Sequence, residues 1–394
     1  MKSLEKLQIY ILYVSIFTLC LVGDSSVFPR VENLFILFII LYLVSRKIKI
    51  DFFAKLLFCL FIFSLLSAII NISNIGDITF TYRFIKLLVF YLMVYNLPYE
   101  TKKVENVIRA VFLILFFINL AILLDIPSVS SFLSKIYQKE SQIIDLPGSR
   151  TRLYGTMGNP NENSVLLLVF LAYFISLYYY QKKNWQFIFI GISIVMLIFT
   201  ESRTAFVGMV GMFAALLFKK HTKRGIVVIA ITIFLALSGI IAVVQNVELK
   251  NLNQLFTQNP AEINSLVVRY EIWGNLIDLW REKPVLGWGP YLNYFKINNI
   301  DPDSEYILFL FSYGIVGALL LLLIYVVPIF SLWQKKKTVG LSLIGVILPI
   351  GLAACSLTNV AILNVRTGLL YIIFIAIASS ARNRTDSQIY RNEN

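Results

Sequence analysis

Charged residues are scarce in this sequence. Of its 394 residues only 14% are charged and 58% are hydrophobic, whereas about a quarter of the residues of a soluble domain are charged. This shortage of charge excludes an ordinary soluble domain. The composition predicts an all-α polytopic membrane protein, because helices satisfy their own backbone hydrogen bonds inside a bilayer.

Residues that often bind metals are scarcer still, with one histidine and three cysteines in the whole chain. Cys20, Cys59 and Cys355 lie inside apolar runs and have no metal-ligand spacing, which is typical of small buried side chains. His221 lies in a basic loop, where we expect it to be solvated. The sequence therefore predicts no metal site and no cofactor.

Acidic residues are also few, with 22 Asp and Glu against 35 Lys and Arg, for a net charge of +13. The basic residues come in short clusters between apolar runs. This placement indicates membrane topology rather than a nucleic-acid surface, so no nucleic-acid partner is expected.

A bilayer crossing needs about 20 largely apolar residues, and the sequence offers about a dozen candidate runs. No convincing internal repeat divides them, so residues 1–394 are predicted to form a single membrane domain. The candidate runs are 7–22, 33–45, 52–71, 79–97, 104–124, 164–181, 185–200, 202–218, 224–245, 304–332, 339–358 and 363–381.

The distribution of Lys and Arg predicts the orientation of these runs. With the N-terminus inside, every inner segment is basic, whereas the outer loops 72–78 and 359–362 contain no Lys or Arg. Both termini are therefore predicted to be cytoplasmic. Two outer segments are long: 125–163, which leads into a polar motif region, and 246–303, a large loop that we expect to be partly helical.

Glu201 and Arg203 interrupt an otherwise apolar stretch, "IVMLIFTESRTAFVGMVGMF". The stretch from Trp185 to Phe218 would span roughly 51 Å as one helix, against a hydrocarbon core of about 30 Å. We therefore predict two short helices joined by a tight outer turn that carries both charges. Snorkelling of Arg203, with Glu201 as its partner, is the structural alternative.

A second polar motif, "SRTRLYGTMGNPNENS" (149–164), contains Arg150, Arg152, Asn159 and Asn161 before an apolar run. Its amides predict a helix cap, supplied by Asn161 or Asn163. A helix start flanked by arginines is also a suitable anion site. Both interpretations are compatible with the motif.

The large outer loop and its end supply the remaining candidates. Apolar residues recur at helical spacing within 265–290 and predict an amphipathic helix that begins near Arg269. Asp303 and Glu305 follow at the mouth of the next run. Either carboxylate is a candidate general base, and either one can instead cap the helix.

Arginines collect at the predicted outer mouth, with few carboxylates opposite them. Arginine forks suit phosphate oxygens, so this set predicts a polyanionic, membrane-borne ligand such as a lipid pyrophosphate. Snorkelling alone explains Arg83 or Arg366, and Arg269 on its own could simply be solvated. The set comprises Arg83, Arg150, Arg152, Arg203, Arg269 and Arg366.

The motifs "GTMGNPNENS", "TESRTAFVG" and "RYEIWGNLIDLWREKPVLGWGP", followed by "LFLFSYGIVGALLLL", occur in this order. Together they resemble the O-antigen polymerase and ligase group of membrane glycosyltransferases. The resemblance implies a GT-C-like fold of about 12 transmembrane helices and metal-independent glycan transfer from undecaprenyl pyrophosphate. It also implies that Arg203 and Arg269 hold pyrophosphate oxygens.

One departure from the group bears on the reaction. Similar ligases have an outer histidine where this chain reads "DPDSEYILFLFSYG". The absence of that histidine favours a polymerase of capsule, O-antigen or exopolysaccharide repeat units, with Asp303 or Glu305 as base. A ligase-type transferase is the nearest alternative, and a lipid-linked oligosaccharide flippase is the alternative of another class.

The resemblance also implies a setting and partners. The expected location is the bacterial cytoplasmic membrane, with the active site on the outer face. Donor and acceptor would both be undecaprenyl-pyrophosphate-linked glycans within the lipid bilayer. A chain-length regulator and a flippase are the expected protein partners.

Overall fold

A computed structural model gives the fold of the chain. It describes residues 2–22, 32–71, 75–124, 126–137, 152–218, 264–290, 302–333 and 341–392, and the single positions 295, 298 and 300. These residues form helices and no strand, so the all-α prediction is confirmed for the part of the chain that is described.

The described helices are numbered here in chain order, and a short 3-10 turn at Gly155–Met157 precedes α7. They are α1 Lys2–Leu21, α2 Glu32–Val44, α3 Phe52–Ile70, α4 Ile75–Asn96, α5 Thr101–Leu123, α6 Pro127–Tyr137, α7 Pro160–Gln181, α8 Gln186–Phe199, α9 Arg203–Phe218, α10 Asn264–Glu282, α11 Glu305–Trp333, α12 Leu341–Cys355 and α13 Val365–Asn392.

Eleven of the twelve predicted apolar runs fall on helices, and the twelfth, 224–245, lies outside the described residues. The predicted amphipathic helix is present as α10. The sequence did not predict α6, which lies within the predicted outer segment 125–163 and whose backbone is helical over Pro127–Tyr137. The apolar runs thus located eleven helices but gave no signal for this short one.

Five helices among the described residues are long and apolar enough to cross a bilayer, and shorter apolar helices accompany them. These features suggest a multi-pass membrane protein. The number of twelve spans and the GT-C-like arrangement stay predictions. The five helical stretches are Leu4–Leu21, Phe52–Ile70, Thr101–Leu123, Pro160–Gln181 and Glu305–Trp333.

Helix α7 lies at the centre of the bundle. In its most apolar stretch 89% of the residues are buried, whereas the corresponding share in the other four long helices is 33–44%. It packs against α8, α9, α12 and α13, and α12 in turn contacts α9, α11 and α13. A helix that is apolar all round belongs in such a core, and its first residues are thereby surrounded by other helix ends.

The helix ends predicted to face outward meet at one end of the bundle. The end of α8 receives a hydrogen bond from Leu153 N to Phe199 O at 3.2 Å. Near the start of α13, Arg366 reaches back to Leu19 O in α1 at 2.8 Å. The polar segments around 152–163, 200–203, 302–305 and 356–366 are therefore neighbours in space.

Helix α11 is interrupted at Gly314, where φ is 62° and ψ is −163°. The segment after α10 fills the break, with Trp288 N donating to Phe311 O at 2.9 Å and Gly289 N donating to Ser312 O at 2.7 Å. A Cβ on Gly314 would lie 2.3 Å from Val285 O, so only glycine fits there. The backbone after α10 is thus anchored directly in α11.

Candidate active site

Glu201 and Arg203 lie at a break between two helices. Helix α8 ends at Phe199, α9 begins at Arg203, and Glu201 adopts a left-handed backbone conformation with φ of 50°. Non-glycine residues rarely adopt this conformation, and such residues cluster at functional sites. The predicted separation of the stretch into two short helices is therefore observed.

Arg152 ties this break to the start of α7. Its Nε donates to Thr200 O at 3.0 Å, and its Nη2 donates to Asn161 Oδ1 at 3.1 Å. The Thr200 carbonyl lies at the end of α8, where helix carbonyls lack intrahelical partners. The guanidinium group therefore caps one helix while contacting the first turn of another.

Asn159, rather than Asn161 or Asn163, caps α7. The Asn159 side chain accepts a hydrogen bond from Asn161 N at 2.8 Å, and Pro160 occupies the first helical position, which it favours. The prediction of the cap residue was wrong. Asn163 instead binds Asn119 Oδ1 and Leu153 O, both at 3.0 Å, because it is already inside the helix and buried.

Arg269 and Asp303 form an ion pair between α10 and the residue two positions before α11. Arg269 Nε lies 2.8 Å from Asp303 Oδ2, and their side chains are 21% and 37% exposed. Trp273, one turn further along α10, donates its Nε1 to Pro302 O at 2.7 Å. This second contact fixes α10 beside the Asp303 backbone.

Three arginines from separate segments share one electrostatic environment. Burial lowers the pKa of Arg152, the nearby Glu201 raises it, and the positive charges of Arg203 and Arg269 lower it further. Arg203 and Arg269 also repel each other. The structure therefore brings together Arg152, Arg203 and Arg269, with Glu201 and Asp303 as nearby carboxylates. Such a group attracts an anion with several oxygens.

Glu305 is completely buried and accepts hydrogen bonds on both oxygens. Its Oε1 accepts from Ile362 N at 2.8 Å and from Leu363 N at 2.6 Å. Its Oε2 accepts from Ser356 Oγ at 2.7 Å and from Tyr325 OH at 2.8 Å. This carboxylate holds the segment between α12 and α13 in place.

Arg366 lies apart from the arginine cluster, in a buried position between α13 and the end of α1. Its guanidinium donates to Leu19 O at 2.8 Å, to Thr156 O at 2.9 Å and to Cys20 O at 3.2 Å. These carbonyls give it a structural role.

Arg83 contacts the α12–α13 segment through a hydrogen bond from Nη1 to Leu363 O at 2.9 Å. Its guanidinium carbon also lies 4.6 Å from the centre of the Phe80 ring. Arg83 is therefore linked to the segment that Glu305 holds. Arg150, the remaining predicted arginine, lies outside the described residues.

Asn359 is a site residue that the sequence interpretation missed. It is 9% exposed, and its Nδ2 donates to Asn161 O at 3.2 Å. Its own carbonyl accepts from Glu305 N at 3.2 Å. The only signal in the sequence was a polar residue in the uncharged outer loop 359–362. Asn359 therefore joins the Glu305 side of the site to the Asn161 side.

Within the described ranges, no three His, Cys, Asp or Glu side chains converge as metal ligands do. Metal independence stays a prediction. The arginine cluster, by contrast, has the donor chemistry of an oxyanion site.

The apolar helices, together with a polar cluster at one end of their bundle, define the class as a multi-pass membrane protein. Residues 188–322 match the family model described as O-antigen ligase. The match covers about a third of the chain and includes Arg203, Arg269, Asp303 and Glu305. It confirms the resemblance to the O-antigen ligase and polymerase group. Among curated proteins, none matches the chain.

Proposed function

We propose that the chain is a membrane glycosyltransferase that polymerises undecaprenyl-pyrophosphate-linked oligosaccharide repeat units into capsule, O-antigen or exopolysaccharide. The observation that carries the proposal is the convergence of Arg152, Arg203 and Arg269 at one end of the bundle. Arg152 binds Thr200 O, three residues before Arg203, and Arg269 pairs with Asp303, two residues before α11. The charge topology of the sequence assigns this end to the outer face of the bacterial cytoplasmic membrane. Both termini are then cytoplasmic.

The arginines would stabilise the leaving group. As the bond between the anomeric carbon and the pyrophosphate oxygen breaks, negative charge grows on that oxygen. Preorganised cations in a partly buried site stabilise such charge more strongly than water does. Arg203 and Arg269 are the main candidates, helped by Arg152 and by Arg150 from the same sequence motif. Asn159 and Asn161 keep the start of α7 in position beside them.

Asp303 is the better candidate for the base. Its side chain is 37% exposed beside Arg269, whereas Glu305 is completely buried and bonded on both oxygens. In the proposed step, an acceptor hydroxyl oxygen forms the new bond to the anomeric carbon, and Asp303 takes its proton. Undecaprenyl pyrophosphate leaves from the opposite face, so the configuration inverts.

The second candidate is a ligase-type transfer, which the description of the matching family model favours. The two reactions share a donor and differ in the acceptor, which is another lipid-linked repeat unit for a polymerase. The missing outer histidine supports the polymerase. A chain-length regulator and a flippase are the proposed protein partners.

Arginine variants of the purified protein test the proposal. Arg203→Ala and Arg269→Ala should each reduce elongation of lipid-linked repeat units by about 10²–10³-fold, the effect of losing one oxyanion donor. Arg281→Ala is the matched control. It removes an arginine from the same helix as Arg269, and this arginine is paired with Asp278 at 2.8 Å but is 70% exposed. The control should retain full elongation.

The assay is run in detergent micelles, with product length measured on gels. Elongation without two separate membrane sides requires an enzyme, so a flippase would give no longer product. Normal polymer from Arg203→Ala or Arg269→Ala would contradict the pyrophosphate role. Transfer of the glycan only to an acceptor other than a lipid-linked repeat unit would favour the ligase reaction.

A further inference from the structure

Arg269 uses only part of its guanidinium in the ion pair with Asp303. The contact is made by Nε, at 2.8 Å from Asp303 Oδ2. Within the described residues, Nη1 and Nη2 of Arg269 donate no hydrogen bond. A guanidinium offers five N–H donors in a fixed fork, so most of its donors remain available for a ligand.

This ion pair lies in a field that favours a stronger anion. Arg269 is close enough to Arg152 to lower the pKa of that group, and it also repels Arg203. Two carboxylates, Asp303 and Glu201, lie beside three arginines, so positive charges outnumber negative ones among these five side chains. A phosphate group carries more negative charge and can accept two parallel N–H bonds from one arginine.

We propose that Asp303 acts as an internal substitute for a phosphate on Arg269, and that the pyrophosphate of the donor displaces it. This inference rests on the proposed function and adds a second role for Asp303. Before the donor binds, the carboxylate holds Arg269 in position. When the donor binds, Arg269 transfers its hydrogen bonds to phosphate oxygens.

The exchange links donor binding to base formation. A carboxylate that is hydrogen-bonded to a cation is a poor proton acceptor, and it becomes a better one when the cation leaves. Asp303 is therefore a competent base only after Arg269 has moved to the donor. Attack by the acceptor hydroxyl is thereby confined to the loaded site.

The local structure permits this exchange without movement of the backbone. Trp273 Nε1 holds Pro302 O at 2.7 Å, so the position of α10 beside Asp303 does not depend on the ion pair. Both side chains are partly exposed, Arg269 by 21% and Asp303 by 37%. The proposed exchange consists of rotation of the two side chains.

Binding of inorganic pyrophosphate to the purified full chain in detergent tests the inference, by calorimetry at fixed ionic strength. Asp303→Asn removes the competing charge and should tighten binding by about two- to five-fold, the effect of losing a partly exposed ion pair. In an Arg269→Ala background, the same substitution should give no gain, because the two residues act as a pair.

Glu100→Gln is the matched control for charge. It neutralises one carboxylate of an exposed ion pair with Lys103, at the opposite end of α5 from the site, and should leave pyrophosphate binding unchanged. If Asp303→Asn does not fold, Asp303→Ser replaces it in the binding experiment, because it also removes the competing charge.

Unchanged or weaker binding by both Asp303 variants would overturn the inference. A gain that persists in the Arg269→Ala background would also overturn it. In both cases, the proposed function would stand if the wild type binds pyrophosphate and Arg203→Ala does not. Absence of wild-type binding would instead reject the donor site itself, and the inference with it.

Discussion

At one end of the bundle, Arg366 and a cluster of three other arginines have opposite surroundings. Arg366 directs its three guanidinium nitrogens to the backbone carbonyls of Leu19, Thr156 and Cys20. Arg152, Arg203 and Arg269 instead lie within the electric field of one another. The first arrangement satisfies a buried cation internally. The second brings three cations close together, with the carboxylates of Glu201 and Asp303 beside them, which suits the binding of an anion with several oxygens.

The comparison teaches that position along the chain does not define the role of an arginine. All these residues come from segments predicted to face outward, and the sequence offered a structural explanation for each: a helix cap for the motif of Arg152, solvation for Arg269, and snorkelling for Arg203 and Arg366. Their partners separate them. Arg366 donates to backbone carbonyls from all three guanidinium nitrogens, which indicates a structural role. Arg152 also caps a helix through Thr200 O, but its two neighbouring arginines indicate an anionic ligand.

Replacing Arg366 should have the largest effect on stability. Arg366→Ala removes the guanidinium donor from Leu19 O, Thr156 O and Cys20 O, of which Cys20 O still accepts from Thr156 Oγ1. This loss should cost about 3 kcal/mol of unfolding free energy. The measurement is thermal unfolding and yield of the detergent-purified protein. Arg203→Ala, tested in parallel, should unfold near the wild-type temperature. Equal stability of wild type and Arg366→Ala would remove the distinction between Arg366 and the arginine cluster.

The two carboxylates sharpen the same comparison with an intermediate effect. Glu305→Gln presents an amide to four donors and should cost about 1–3 kcal/mol of unfolding free energy, while Asp303→Asn should abolish elongation and leave thermal unfolding nearly unchanged. Both variants are assayed for elongation and for thermal unfolding. A stable but inactive Glu305→Gln protein would transfer the role of base from Asp303 to Glu305.

Asn359 should have the smallest effect. Asn359→Ala removes the donor to Asn161 O and the acceptor for Val360 N, and should cost about 1 kcal/mol of unfolding free energy. Elongation should fall by a few-fold, because Asn161 accepts from Arg152 and would be less well fixed. Asn96→Ala, which removes three side-chain hydrogen bonds at the end of α4 far from the site, should not affect elongation. Equal elongation by both variants would exclude Asn359 from the site.

Much of this fold could be predicted from the sequence, because long apolar runs leave few alternatives to helices. The break before Arg203 followed from length alone, since the stretch is too long for one crossing. The roles of Arg366 and Glu305 could not be predicted, because their partners are 347 and 57 positions away in sequence, at Leu19 and Ile362. The cap at Asn159 has a sequence signal of its own, because proline favours the first helical position and Pro160 follows directly.

The interruption of α11 at Gly314 limits which parts of the protein can be exchanged. The backbone of the segment at 284–289 completes the hydrogen bonding of α11 through Trp288 N, Gly289 N and Pro284 O. A chimaera that transplants α10 and this segment from a relative would leave α11 with mismatched partners unless residues 311–315 were transplanted as well. The segment at 284–289 and helix α11 would therefore have to be exchanged together. Recombination at Gly314 would separate the two partners of these hydrogen bonds.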